Sequence, residues 1–220
     1  MPTNRQKAWE TRGLGRRSET RERRRVLILC EDSKSARYYF EGFQVDRQRV
    51  DLITVGTGMN TDSLVEEAIR HTGVAECAGK PFSEVWCVFD RDSFPMHNFD
   101  RAFQLARNSR IKLAWTNEAF ELWYLLHFNY HDTGISRNDY KTKLKPHIDY
   151  DKADAEIYVK MIPNQETALR NARNLENYWK RLGEDHPERQ NPSTAVHKLV
   201  EFLNELADLG STTDSRENTL

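Results

Sequence analysis

The chain has 220 residues, of which 38% are hydrophobic and 30% charged, with a formal net charge of −1. That size and balance suit one soluble globular domain, or one domain with a small helical annex. No run approaches the ~20 apolar residues of a membrane span, and no apolar segment near Met1 resembles a signal peptide.

Charge is unevenly spread along the chain. Residues 1–25 carry nine basic and three acidic side chains, whereas the remainder carries 24 basic and 31 acidic ones. Residues 1–24 lack apolar periodicity and are expected to form a basic, disordered arm. Such an arm beside an acidic body suits a nucleic-acid backbone, and equally a solvated leader that keeps the chain in solution. Its Glu10, Glu19 and Glu22 argue against a transit peptide. The expected location is the cytoplasm.

The apolar run Val26-Leu27-Ile28-Leu29-Cys30 predicts a first strand buried on both faces. A helix follows over 33–43, then a strand over 50–55 and a turn at Gly56-Thr57-Gly58. Asn60 or Thr61 caps a helix that runs to about Cys77. A third strand spans 84–89. A loop at 93–96 leads to a helix over 98–108 and a fourth strand over 111–115. Asn117 is the expected cap of a helix over 118–128. Strands alternating with helices at this spacing give a parallel sheet.

From Ser136 onward no strand is evident. Short helices are expected over 136–144 and 152–161, each stopped near a proline. Long amphipathic helices follow over 165–182 and 193–209, with Asn191-Pro192-Ser193-Thr194 as the start signal for the last. The expected organisation is an α/β core at 25–130, a helical annex at 131–209 packed on it, and a polar tail at 210–220. Cys30, Cys77 and Cys87 lack metal-ligand spacing, which argues against zinc, and read as reduced, buried thiols.

The residues with chemical potential cluster at strand ends. Glu31 closes the first apolar run, and Asp90-Arg91-Asp92 closes the third. Carboxylates there face the crevice in which open α/β sheets bind ligands. Three acids converging repel one another unless a cation sits between them, and hard oxygen donors suit Mg²⁺, with Mn²⁺ as a substitute. Glu31, Asp90 and Asp92 are therefore candidate metal ligands for phosphate chemistry, against the simpler reading of loop salt bridges. Glu121 sits on a helix that is apolar nearly all round, where a carboxylate needs a partner, and shares a face with Glu118. Lys34 is a candidate phosphate contact or counter-ion, or an ordinary surface lysine. Lys141, Lys143, Lys145 and His147 form a short basic stretch for a nucleic-acid backbone or for solvent. His197, near the start of the last helix, is a candidate acid/base or a structural histidine.

Together these residues resemble the RloB-like family of TOPRIM-related proteins. The matching pieces are Leu29-Cys30-Glu31 with Lys34 and Tyr38-Tyr39-Phe40-Glu41-Gly42-Phe43, then Phe89-Asp90-Arg91-Asp92. Asn117-Glu118-Ala119-Phe120-Glu121-Leu122-Trp123-Tyr124-Leu125-Leu126-His127-Phe128 and Asn191-Pro192-Ser193-Thr194 with 196–200 complete them. The resemblance spans about 26–205. It implies a TOPRIM-like Rossmannoid sheet of about four strands flanked by helices, and a Mg²⁺-dependent nuclease in antiviral defence that works beside an ATPase partner. By the family pattern Glu31 is a general acid/base or metal ligand, and Asp90 and Asp92 are metal ligands. TOPRIM sequences usually carry Gly after the glutamate. This chain has Asp32, which adds charge where a phosphate would approach, and marks either a further ligand or a degenerate site.

Two other readings stand beside the nuclease acting on RNA or DNA. A phosphatase of the haloacid dehalogenase type also uses D-x-D, but after the first core strand rather than the third. A regulatory subunit would use a catalytically degenerate core as a scaffold and bind an ATPase through the annex, with the Tyr178/Trp179 region as an exposed contact.

Overall fold

The computed structural model of the chain describes residues 23–91 and 96–217. Nearly all of the basic arm, Asp92, the start of the loop after it and residues 218–220 lie outside the described residues. The chain forms an α/β structure around a five-stranded, mostly parallel sheet in the order β2-β1-β3-β4-β5. The strands are β1 (Arg24–Cys30), β2 (Val50–Gly56), β3 (Glu84–Asp90), β4 (Lys112–Asn117) and β5 (Ser193–Thr194). The helices are α1 (Ser35–Glu41), α2 (Thr61–Cys77), α3 (Met96–Ser109), α4 (Glu121–Leu126), α5 (Tyr140–Leu144), α6 (Ile157–Met161), α7 (Gln165–Leu182) and α8 (Val196–Glu217).

The charge-free run Val26–Cys30 suits β1 to an interior position in the sheet. It pairs in parallel with β2 on one side and β3 on the other. Because side chains alternate along a strand, Val26, Ile28 and Cys30 enter one core while Leu27 and Leu29 enter the other. The first core also holds α1, α4, α7 and α8, and the second holds α2 and α3. The annex helices thus share a continuous core with the sheet.

From β1 the chain goes through α1 to β2 on one side. It then returns through α2, on the opposite face, to β3 on the other side. The gap between the carboxyl ends of β1 and β3 is therefore a topological switch point, where open α/β sheets bind ligands.

Four local expectations change. Asn117 ends β4 instead of capping a helix, because its backbone pairs with Ser193 of β5. Its side chain donates to the carbonyls of Pro187 and Glu188. The helix after it is shorter and starts at Glu121. Ser193 and Thr194 form the antiparallel edge strand β5 before α8 begins, and Thr194 Oγ1 then accepts the Val196 N–H at 3.2 Å. Helix α8 runs on to Glu217, past the expected end at Leu209.

Cys30 and Cys87 are buried free thiols, whereas Cys77 is exposed at the end of α2. Tyr178 and Trp179 are half-buried, and Trp179 Nε1 donates to the Pro192 carbonyl at 2.8 Å. That pair fastens α7 to the approach of β5 and is not an exposed contact.

A candidate acidic site at the switch point

The switch point is built from the backbone outward. Past the end of β1, the Glu31 N–H still donates to Val88 O of β3 at 2.8 Å, which extends the ladder by one residue. The Glu31 carboxylate turns back, and its Oε2 accepts the N–H of Asp90 at 3.0 Å. Two acids 59 positions apart in sequence are thereby locked together.

The loop after Glu31 packs closely on the end of β2. A Cβ on Gly56 would lie 2.7 Å from the Ser33 Cα and 3.2 Å from the Asp32 carbonyl. Glycine is required here so that two backbones can approach. This positioning role was present in the Gly56-Thr57-Gly58 turn signal, but nothing in the sequence ties that turn to Ser33.

Asp90 is the electrostatic centre. Burial, with Glu121 and Glu31 as negative neighbours, pushes its carboxyl well above the usual range, opposed by Arg137 and the Phe120 N–H. Its side chain keeps 16% exposure, and Arg137 Nη2 lies 3.1 Å from Oδ2. Glu121, the first residue of α4, is on this same edge and accepts the Tyr150 hydroxyl. The structure thus brings Glu31, Asp90 and Glu121 together. Asp92 lies outside the described residues.

Asp32 has a different job from either expectation. Its Oδ1 accepts the Lys34 N–H at 2.9 Å and its Oδ2 the Ser35 N–H at 3.4 Å, which supports the first turn of α1. Burial acts to raise its pKa, but Lys152 and those N–H donors outweigh it and hold the carboxyl below its ordinary value. Lys152 Nζ sits 3.0 Å from Oδ2. The counter-ion is therefore Lys152, not Lys34, whose side chain is exposed.

His197 is placed elsewhere. It is buried between α8 and α7, with Nε2 3.4 Å from Glu176 Oε2 and Nδ1 without a hydrogen-bond partner among the described residues. Burial lowers its pKa, against the opposing pull of Glu176. It acts as a packing residue in the annex. Glu118 is also off the expected helix face. Its carboxylate accepts the Arg137 N–H at 3.1 Å and the Asn191 Nδ2 at 3.3 Å, tying two annex segments to the core.

Beside the Arg137–Asp90 pair opens a cleft of about 570 Å³ lined by Glu121, Arg137, Tyr140, Lys141, Asp149, Tyr150, Asp151 and Lys152. Arg137 and Lys152 carry no short-range sequence signal for this site, because their partners lie 47 and 120 positions away. Lys143, Lys145 and His147 are exposed, and His147 stacks on Phe128 with ring centroids 4.7 Å apart.

The side chains of Glu31, Asp90 and Glu121 offer only oxygen donors at the switch point, and burial, with Glu121 and Glu31 as neighbours, pushes the Asp90 carboxyl up. That chemistry fits a hard divalent cation. Among the described residues no group of three His, Cys, Asp or Glu is already gathered in metal-binding geometry.

No helix among the described residues is long and apolar enough to cross a membrane. A family model with the description RloB-like protein matches residues 26–203. No curated protein and no solved structure matches the chain.

Proposed function

The chain belongs to the RloB-like family, and from that footing we propose that it is a Mg²⁺-dependent nuclease that hydrolyses phosphodiesters of RNA or DNA. The observation that carries this reading is the Glu31–Asp90 lock, with Glu121 beside it, at the switch point of the sheet. Glu31, Asp90 and Asp92 would hold the metal, with Mn²⁺ able to replace Mg²⁺. A bound Mg²⁺ supplies charge neutralisation at a phosphate and a more acidic water. Glu31 is the residue assigned to take the proton of the attacking water, its carboxylate oriented by the Asp90 N–H. Glu121 is a further acid on the same edge, oriented by Tyr150.

The biological setting proposed is antiviral defence in the cytoplasm, with an ATPase partner controlling cleavage. The free thiols of Cys30, Cys77 and Cys87 agree with a reducing compartment. The test is to incubate the protein with Mg²⁺ or Mn²⁺, with and without its ATPase partner, on labelled RNA and DNA. Cleavage that Asp90→Ala abolishes supports the nuclease. Equal behaviour of wild type and Asp90→Ala on every nucleic acid refutes it.

A second reading is a scaffold subunit of an ATPase-containing complex. It is favoured by the cations that already pair with the site, Arg137 on Asp90 and Lys152 on Asp32. Under that reading Asp90→Ala retains both complex formation and biological activity.

A further inference from the structure

The two edges of the sheet are finished differently. At one, the outer side of β4 is closed by β5, and the Ala195 N–H donates to the Trp115 carbonyl at 2.8 Å. At the other, β2 pairs only with β1. The Arg24 N–H donates to the Arg49 carbonyl and the Thr57 N–H to the Cys30 carbonyl. Odd-numbered residues of β2 therefore turn their backbone groups to β1, and Leu52 and Thr54 turn theirs outward. These outward groups have no hydrogen-bond partner among the described residues.

Unpaired N–H and C=O groups along an edge template another strand, so open edges are normally blunted by lysine, proline, a bulge or a covering loop. The sequence of β2, Val-Asp-Leu-Ile-Thr-Val-Gly, has neither lysine nor proline. Its one charge, Asp51, is held by Arg25 Nε at 3.2 Å. Its register with β1 runs from Val50 to Gly56 without a bulge. Leu52, Ile53, Thr54 and Val55 are only half-buried. Beside them lies a groove of about 550 Å³ whose lining includes Phe40, Phe43, Arg23, Arg47, Glu41 and Asp51.

A strand added here must match the groove in charge as well as in backbone. With two cations and two carboxylates, the groove favours neither a polyanion such as nucleic acid nor a basic or acidic peptide. A surface of mixed charge is complementary to itself, which a two-fold contact requires. The pattern of β2 fits itself too. In the antiparallel register that overlaps all of Val50–Gly56, Ile53 sits on the two-fold axis. Leu52 then faces Thr54 of the second copy as a hydrogen-bonded pair, and Asp51 faces Val55. No like charges meet across the strand pair.

We propose that β2 is a dimerisation edge, at which two copies of this chain join antiparallel β2 strands and merge their five-stranded sheets into one. The inference is independent of the nuclease reading. The carboxyl ends of the two β1 strands point to opposite edges of the merged sheet, so each acidic switch point stays within its own chain.

The test is sedimentation equilibrium of the full chain across a range of concentrations, with Thr54→Lys and Thr54→Pro as variants. Lysine is a natural edge-blocking residue, and proline removes the outward N–H, which an edge strand tolerates. Wild type should dimerise, and each variant should weaken the dimer by about tenfold or more. Circular dichroism and the melting temperature report whether the variants stay folded. Cross-linking gives a second readout, in a Cys77→Ser background that removes the exposed thiol. Under mild oxidation Ile53→Cys should give a disulfide-linked dimer, because a non-hydrogen-bonded pair on the axis brings its Cα atoms to about 4.5 Å. Val55→Cys, about 13 Å from its own copy in this register, should not.

A chain that stays monomeric up to about 100 μM overturns the inference, because a contact with a Kd of even about 10 μM is evident there. A dimer of unchanged affinity in the folded Thr54 variants overturns it as well. So does a dimer that Ile53→Cys cross-links no better than Val55→Cys, which places the contact on another surface.

Discussion

The Glu31 carboxylate accepts the backbone N–H of Asp90 at 3.0 Å, so the two acids are positioned by each other across the β1–β3 gap. Glutamine at position 31 can still accept that hydrogen bond through its carbonyl oxygen but cannot carry charge or take a proton. Glu31→Gln is therefore expected to change stability by less than about 1 kcal/mol. Cleavage should fall by about 10²–10⁴-fold, the usual worth of a general base. Urea unfolding beside single-turnover cleavage checks both halves. A large stability loss with intact cleavage would place Glu31 in the fold alone.

Gly56 supports the same geometry from the β2 side. An alanine Cβ would approach the Ser33 Cα to 2.7 Å, and the loop holding Glu31 and Asp32 must shift to admit it. Gly56→Ala is expected to cost about 1–3 kcal/mol, the range for overpacking. It should also weaken metal binding. Chemical unfolding and a metal titration measure the two effects, and a neutral variant would show that the close contact yields easily.

In the annex, Glu176 gives a pH signature. Burial acts to raise its pKa, but Lys198, Lys180 and His197 overcome it and bring it down from 4.5 to about 2. A carboxylate with a depressed folded pKa contributes stability above its unfolded value, and that contribution fades as pH falls through the folded value. The stability difference between wild type and Glu176→Gln should thus be full above about pH 4.5 and shrink between there and pH 2. Denaturation at a series of pH values reads it. A difference that grows on acidification would contradict the assignment.

Much of this architecture was readable from the chain. The runs ending in Glu31 and Asp90 became β1 and β3 because a buried strand must lack charge inside and can carry it only at its end. The amphipathic stretch expected over 165–182 became α7 with those bounds, and Ala168, Ala172 and Leu175 are buried on its inner face. Asn117 was misread because the same residue type caps a helix or closes a strand, and tertiary pairing with Ser193 decided the outcome. Strand β5 has two residues, too few for any alternating pattern.

At the site, Glu31, Asp90 and Glu121 were legible because carboxylates at element ends stand out against apolar surroundings. Arg137 and Lys152 were not, since neither has a local pattern and both act through partners far away in sequence. Asp32 was read as a ligand or as a mark of degeneracy. Its use, holding the Lys34 and Ser35 N–H groups, depends on how the loop closes. His197 has the residue type of an acid/base but is buried against Glu176.

The measurement that bears most directly on the account is a calorimetric titration of Mg²⁺ and Mn²⁺ into wild type and an Asp90→Ala/Asp92→Ala variant, repeated with a nucleic-acid duplex present. The account predicts binding to wild type that the variant loses. Absence of binding to wild type both alone and with the duplex would contradict it.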